Sequence, residues 1–118
     1  MKAICIKRIY DAPSEEDGYR ILVDRIWPRG ITKEYARLDE WNKTLAPSTE
    51  LRKWFSHKAE RFNEFARRYR NELMSHKEEL KRIRQIARNK PVTLLYSAKN
   101  TEANQAVVLC KVLKQLKI

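Results

Sequence analysis

The stretch KPVTLLYSAKN, residues 90–100, decides how this chain is read. From Val92 to Tyr96 every residue is apolar or β-favouring, and Pro91 marks where the run opens. A strand with one wet face alternates polar and apolar side chains; an unbroken run of this length points to burial on both faces. The run therefore predicts a central strand.

Around it lie segments with helical period. Downstream, TEANQAVVLCKVLKQL spreads apolar residues over more than half a helix circumference, with Asn100 or Thr101 as the expected N-cap, so a largely buried last helix is predicted. Upstream, Leu80, Ile83 and Ala87 mark the inner face of a helix opened by a Ser75/Glu78 capping box. Phe62, Phe65, Ala66, Tyr69 and Leu73 mark the face of another helix, ending near Met74; one long helix is the alternative. Ser48 is the expected N-cap of a helix that turns Leu51, Trp54 and Phe55 one way.

Near the N-terminus, KAICIKRI (residues 2–9) and YRILVDR (19–25) predict two strands, joined through YDAPSEEDG (10–18). Nine residues are few for a parallel crossover, so local reasoning predicts an antiparallel pair. After residue 30, one short helical turn and coil are expected, with Tyr35, Leu38 and Trp41 at helical spacing. No internal repeat appears, and the fold class is α/β, with helices outnumbering strands.

The 118 residues, 42% hydrophobic, suit one domain over 1–118 that buries roughly two thirds of its unfolded surface. Cys5 and Cys110 have no metal-like or disulfide-like spacing and are expected as buried free thiols. No cofactor or metal site is legible. No segment approaches the roughly 20 apolar residues of a membrane span, and the first residues do not resemble a secretory leader, so a cytoplasmic protein without membrane attachment is expected.

Twenty-six Lys+Arg against 15 Asp+Glu give a net charge of +11, favouring acidic partners. Residues 52–90 hold thirteen of these cations against five glutamates. A basic helical face using Arg67, Arg68, Arg70, Lys81, Arg82 and Arg84 could track a nucleic-acid backbone. The competing view is a solvated face whose charges pair locally, as Glu64 and Arg68 or Arg68 and Glu72 can at i,i+4.

The turn VDRIWPRG (23–30) and the segment YSAKN (96–100) both follow strands, at carboxyl ends where open α/β sheets bind ligands. Arg25 and Arg29 are candidate planar forks for a phosphate or carboxylate, on a turn stiffened by Trp27-Pro28 and released at Gly30. Tyr96, Ser97, Lys99 and Asn100 are expected on the facing wall, with Asn104 one turn into the last helix and Arg68 and Tyr69 turned partly toward the crevice. His57 is a candidate acid or base. Against these stand plainer roles: Asp24 pairing with an arginine to close the turn, Trp27 and Tyr96 as core, and His57 as a cap or surface residue. The leading expectation is a small anionic, phosphate- or nucleotide-like ligand; a nucleic-acid-associated module is the alternative.

The segments GYRILVDRIWPRGI, LDEWNKTLAPSTELRKWFSH, RFNEFARRYRNEL and PVTLLYSAKNTEANQAVVL together resemble the YeaO-like branch of the bacterial family called domain of unknown function 488. The resemblance covers nearly the whole chain. It implies a small cytoplasmic three-layer, Rossmann-like α/β domain with a short, mostly parallel sheet and a helical insertion between the second and third strands. It also implies a parallel rather than antiparallel first pair. The family's other branch has a cysteine where this chain has Tyr96 and a cysteine-histidine pair near Asn104 and Gln105, which counts against thiol or metal chemistry here.

Overall fold

The computed structural model describes residues 2–116. In chain order its elements are β1 (Ile4–Arg8), β2 (Tyr19–Leu22), α1 (Lys33–Ala36), β3 (Glu40–Trp41), α2 (Thr49–Phe55), α3 (Phe62–Met74), α4 (Lys77–Asn89), β4 (Val92–Tyr96) and α5 (Gln105–Gln115). Every residue of β4 is buried, and the sheet order is β1-β4-β2-β3. All three pairings are parallel.

The antiparallel expectation for the first two strands is thus corrected, because β4 lies between them. A dozen residues are needed only when a helix makes the return journey. A five-residue strand rises about 17 Å, and some ten extended residues reach about 33 Å. Residues 9–18 therefore manage the return with a single 3-10 turn, Glu15–Asp17. Ser14 caps that turn, its hydroxyl accepting from the Glu16 amide at 3.2 Å, and its own N–H donates to Asp17 Oδ2 at 3.0 Å. Gly18 follows with φ +65°, and Tyr19 N–H donates to Pro91 O at 2.8 Å, docking the crossover against the start of β4.

The two faces of the sheet are covered differently. Ile4, Ile21, Leu94 and Tyr96 pack under α2, α3, α4 and α5 in the main core, where Phe55, Phe65 and Tyr69 run together ring against ring. The opposite face holds a smaller cluster, Ile9, Leu22, Ala36 and Leu95, roofed by α1 and by Trp27, Ile31, Leu38 and Trp41. Its other end is polar: Asp17 bridges Arg20 at 2.5 Å and Lys7 at 3.1 Å. The helices α2 to α5 thus form one outer layer, while loops and the single turn of α1 form the other.

Four local expectations shift. The helical spacing of Tyr35, Leu38 and Trp41 breaks at Arg37, which turns left-handed (φ 46°) and leaves Trp41 in a two-residue edge strand. His76, not Ser75, stands at the N-cap of α4, while Ser75 closes α3 by donating its N–H to Glu72 O at 3.1 Å. Asn104 rather than Asn100 or Thr101 caps α5, and Asn100 folds the turn before it, accepting from the amides of Glu102 and Ala103 at 2.9 Å. Cys5 is exposed on the outer face of edge strand β1 and Cys110 half-buried, so the thiols are free but not both buried.

Candidate functional site

Past Leu22 the chain keeps its place beside β4 for one more residue, as Val23 N–H donates to Leu95 O at 3.0 Å. Asp24 then lies at the carboxyl ends of β2 and β4 and is only 8% exposed. Its Oδ2 accepts from the Ser97 amide at 3.0 Å, its Oδ1 from Gln105 Nε2, and its carbonyl from Trp41 Nε1 at 2.7 Å. One carboxyl thereby ties two strand ends to the first residue of α5. Burial pushes its pKa above the ordinary value, opposed by the bonds from Ser97 and Gln105 and by the charge of His57. The expected pairing of Asp24 with an arginine is not the one formed.

Beside Asp24 opens a cavity of about 100 Å³. Its polar wall is Asp24, Arg25, Arg52, His57, Ser97 and Gln105, and its apolar wall includes Ile26, Phe55 and Phe65. Arg25 is braced: Nε donates to Pro47 O at 2.8 Å, and Nη2 to Lys43 O at 3.3 Å and Ala46 O at 3.4 Å. Arg52 brings a second guanidinium from α2, and its Nε is buried without a hydrogen-bond partner. Ser56 and His57 both take left-handed backbone (φ 47° and 57°), which costs roughly 1–2 kcal/mol per residue and folds the chain back after α2 so that His57 lines the cavity.

Of the residues singled out by sequence at the two strand ends and beside them, Asp24, Arg25, His57 and Ser97 line this cavity; Trp27, Arg29, Arg68, Tyr69, Tyr96, Lys99, Asn100 and Asn104 do not. Arg29 is exposed, its carbonyl accepting from Tyr10 OH at 2.8 Å, so the structure does not bring Arg25 and Arg29 together. Trp27 is half-buried against Trp41, ring centroids 5.3 Å apart, and donates to Ile31 O. Tyr96 is buried in the main core, where burial pushes its phenol up and Arg8, Asp11 and Asn104 are its polar neighbours. Lys99 is exposed, and Asn104 is the buried cap of α5, accepting from Val107 N–H at 3.1 Å and donating to Asn100 O at 2.9 Å. Arg68 pairs with Glu64 at 2.7 Å and stacks 4.4 Å over Trp54.

Tyr69 stands behind the site. It is fully buried, burial pushes its phenol far upward, and its hydroxyl donates to Leu45 O, pinning the 43–47 loop that braces Arg25. Tyr69→Phe leaves that buried carbonyl unpaired and is expected to lower stability by about 1–2 kcal/mol, read as a shift in the urea unfolding midpoint.

Sequence reasoning passed over Arg52 and Gln105. The available signal for Arg52 was its position three residues before Phe55, on the flank of the face that α2 buries. For Gln105 the one signal was the resemblance, whose other branch has a cysteine-histidine pair near Asn104 and Gln105.

The basic helical face is largely paired. Arg67 and Arg68 share Glu64, whose pKa they pull down to about 2; Lys81 pairs with Glu78, and Arg82 with Glu79 and Glu40. Arg84 donates to Leu116 O. Glu72 takes Ser48 rather than Arg68, accepting from its amide at 2.9 Å and its hydroxyl at 2.5 Å. Among the described residues no group of three or more potential metal ligands occurs, and no helix is long and apolar enough to cross a membrane.

Comparison with known proteins places the chain. Residues 3–117 match a family model described as the inactive DUF488-N3 subclade. The uncharacterized protein YeaO of Escherichia coli (strain K12) is 53% identical over 110 residues, covering 93% of this chain and 96% of that protein. The uncharacterized proteins Mb3100c of Mycobacterium bovis and Rv3073c of Mycobacterium tuberculosis are each 41% identical over 108 residues, covering 92% of this chain and 91% of theirs. No solved structure is significantly similar. From residue 3 to residue 117, therefore, the chain belongs to the DUF488 family, in its YeaO-like N3 branch.

Proposed function

We propose that the protein binds a small anion in the cavity between Asp24, Arg25, Arg52 and His57. The observation that carries this reading is a cavity at the carboxyl ends of the strands lined by two guanidinium groups, Arg25 and Arg52, neither of which forms an ion pair among the described residues. Guanidinium groups without a carboxylate partner are planar forks that suit an oxyanion. Arg25 is held by the backbone, and so loses little freedom when it engages a ligand.

Size narrows the occupant. A liquid water occupies about 30 Å³ and sites for drug-sized ligands span about 300–1,000 Å³, so a volume of about 100 Å³ suits an inorganic oxyanion or one phosphate group rather than a whole nucleotide. The subclade's description as inactive favours binding over turnover. The same reading treats the domain as Rossmann-like, with its ligand crevice at the strand carboxyl ends, and as cytoplasmic, where the exposed Cys5 thiol stays reduced.

Thermal unfolding with added sodium phosphate tests it. At a hundred times its dissociation constant the anion adds about 2.7 kcal/mol of stability, and Arg52→Gln is expected to abolish that gain while leaving the unliganded melting temperature close to wild type. Absence of any phosphate-dependent shift, or an undiminished shift in the variant, refutes the proposal.

A further inference from the structure

An anion entering this cavity meets a carboxyl group as well as two guanidinium groups and an imidazole. We infer that the site selects oxyanions that carry a proton, such as hydrogen phosphate or the monoanion of a phosphate monoester, over fully deprotonated ones such as sulfate, with Asp24 as the discriminating acceptor. The inference rests on the anion-binding reading and adds the chemistry of the occupant.

Asp24 lines the cavity, and its two oxygens accept one bond each, from the Ser97 amide and Gln105 Nε2. A carboxylate has about four lone-pair sites, so acceptor capacity remains. In a cavity of about 100 Å³ an oxyanion held by Arg25, Arg52 and His57 has an oxygen within reach of that carboxylate. A P–OH there makes a short charge-assisted hydrogen bond, whereas a bare anionic oxygen sets two negative charges against each other. Phosphate and sulfate have the same shape and nearly the same size, but at neutral pH phosphate keeps a proton and sulfate has none. The carboxylate thus excludes the wrong ligand by repulsion as well as welcoming the right one.

Four groups facing Asp24 bear on its charge: Arg25 beside it, Arg52 and His57 from α2 and the turn after it, and Tyr69 from α3. The two guanidinium groups attract both anions alike. Burial pushes the Asp24 carboxyl up, so acidification protonates it, and it then becomes a donor that admits sulfate.

Calorimetric titration of the full chain with sodium phosphate and sodium sulfate at matched ionic strength decides the matter. At neutral pH phosphate is expected to bind at least about tenfold more tightly than sulfate, and the gap to narrow as pH falls. Asp24→Asn, which keeps an acceptor for Ser97 and lets the Gln105 amide turn to match, is expected to gain sulfate affinity until the two anions agree within about threefold. Equal affinities in the wild type, or an unchanged ratio in the variant, overturn the selection while leaving anion binding intact. If neither anion binds the wild type, both readings fall. The wild-type ratio and its pH dependence decide the question even if the variant does not fold.

Discussion

Replacing Asp17 by alanine is expected to remove about 3–5 kcal/mol of stability, the range for breaking a buried ion pair while leaving one charge behind. The charge left behind is Arg20, whose residue is 4% exposed and whose Nη1 lies 2.5 Å from Asp17 Oδ2. Arg20 cannot escape to water, because Nε and Nη2 donate to Ala36 O at 3.1 and 2.7 Å beneath α1. The same carboxylate accepts from Lys7 Nζ and from the Ser14 amide, and the Asp17 carbonyl accepts from Thr93 Oγ1 at 2.7 Å. Its loss therefore loosens the crossover, β2 and the roof of the smaller core together. Burial alone would push the Asp17 carboxyl above its ordinary 3.8, but Ser14, Lys7 and Arg20 outweigh burial and hold it below. A carboxyl depressed in the folded state contributes stability that is full above pH 3.8 and is lost as pH falls through the lower folded value. Urea unfolding at neutral and acidic pH should show both the large neutral loss and a flatter acid dependence in Asp17→Ala. A neutral loss under about 1 kcal/mol would mean that water reaches the cluster.

Gly18→Ala is expected to cost about 2–4 kcal/mol, from strain and overpacking together. A Cβ built on Gly18 lies 2.2 Å from Pro91 O and 2.9 Å from its carbonyl carbon, and the backbone φ of +65° is itself unfavourable to any side chain. The obstructing atoms are backbone, so no rotamer change relieves the contact. That carbonyl is also the acceptor for Tyr19 N–H, so moving it away opens the docking of the crossover on β4. Gly30, the other positive-φ glycine at +78°, has nothing within 4 Å of the same construction. Gly30→Ala therefore carries only the conformational cost of about 1 kcal/mol and serves as the control. Equal midpoint shifts for the two variants would contradict the steric argument.

The elements visible in the sequence are those whose stability comes from local periodicity. The unbroken run of β4 and the spacing of Phe65, Tyr69 and Leu73 announce buried faces whichever neighbours cover them. What failed were decisions made at a distance. β1 pairs with β4, Ile4 opposite Val92, so no rule about the loop between β1 and β2 could reveal their neighbour. β3 has two residues, too few for a period, and depends on side chains from elsewhere: Arg82 reaches Glu40 from α4 at 2.6 Å and Tyr19 OH reaches it at 2.8 Å.

The candidate site divides in the same way. The strand-end argument led to the turn that carries Arg25, because carboxyl ends of parallel strands are marked in any α/β sequence. Which second arginine faces it depends on how α2 docks. Arg52 is one cation in a run of them, while the more conspicuous Arg29 leaves the cavity because the chain has already turned over the opposite face of the sheet.

The placement of β4 has a consequence for biosynthesis. Both β1 and β2 hydrogen-bond to β4 rather than to each other. On the ribosome the first ninety or so residues therefore emerge without the one strand that can join them, and only the helices and the short β2–β3 pairing are able to form early. Joining β1 to β2 waits until Tyr96 clears the exit tunnel, so the nascent chain holds β1 without a partner and β2 with one edge open through most of its synthesis, the stage at which chaperone capture matters most.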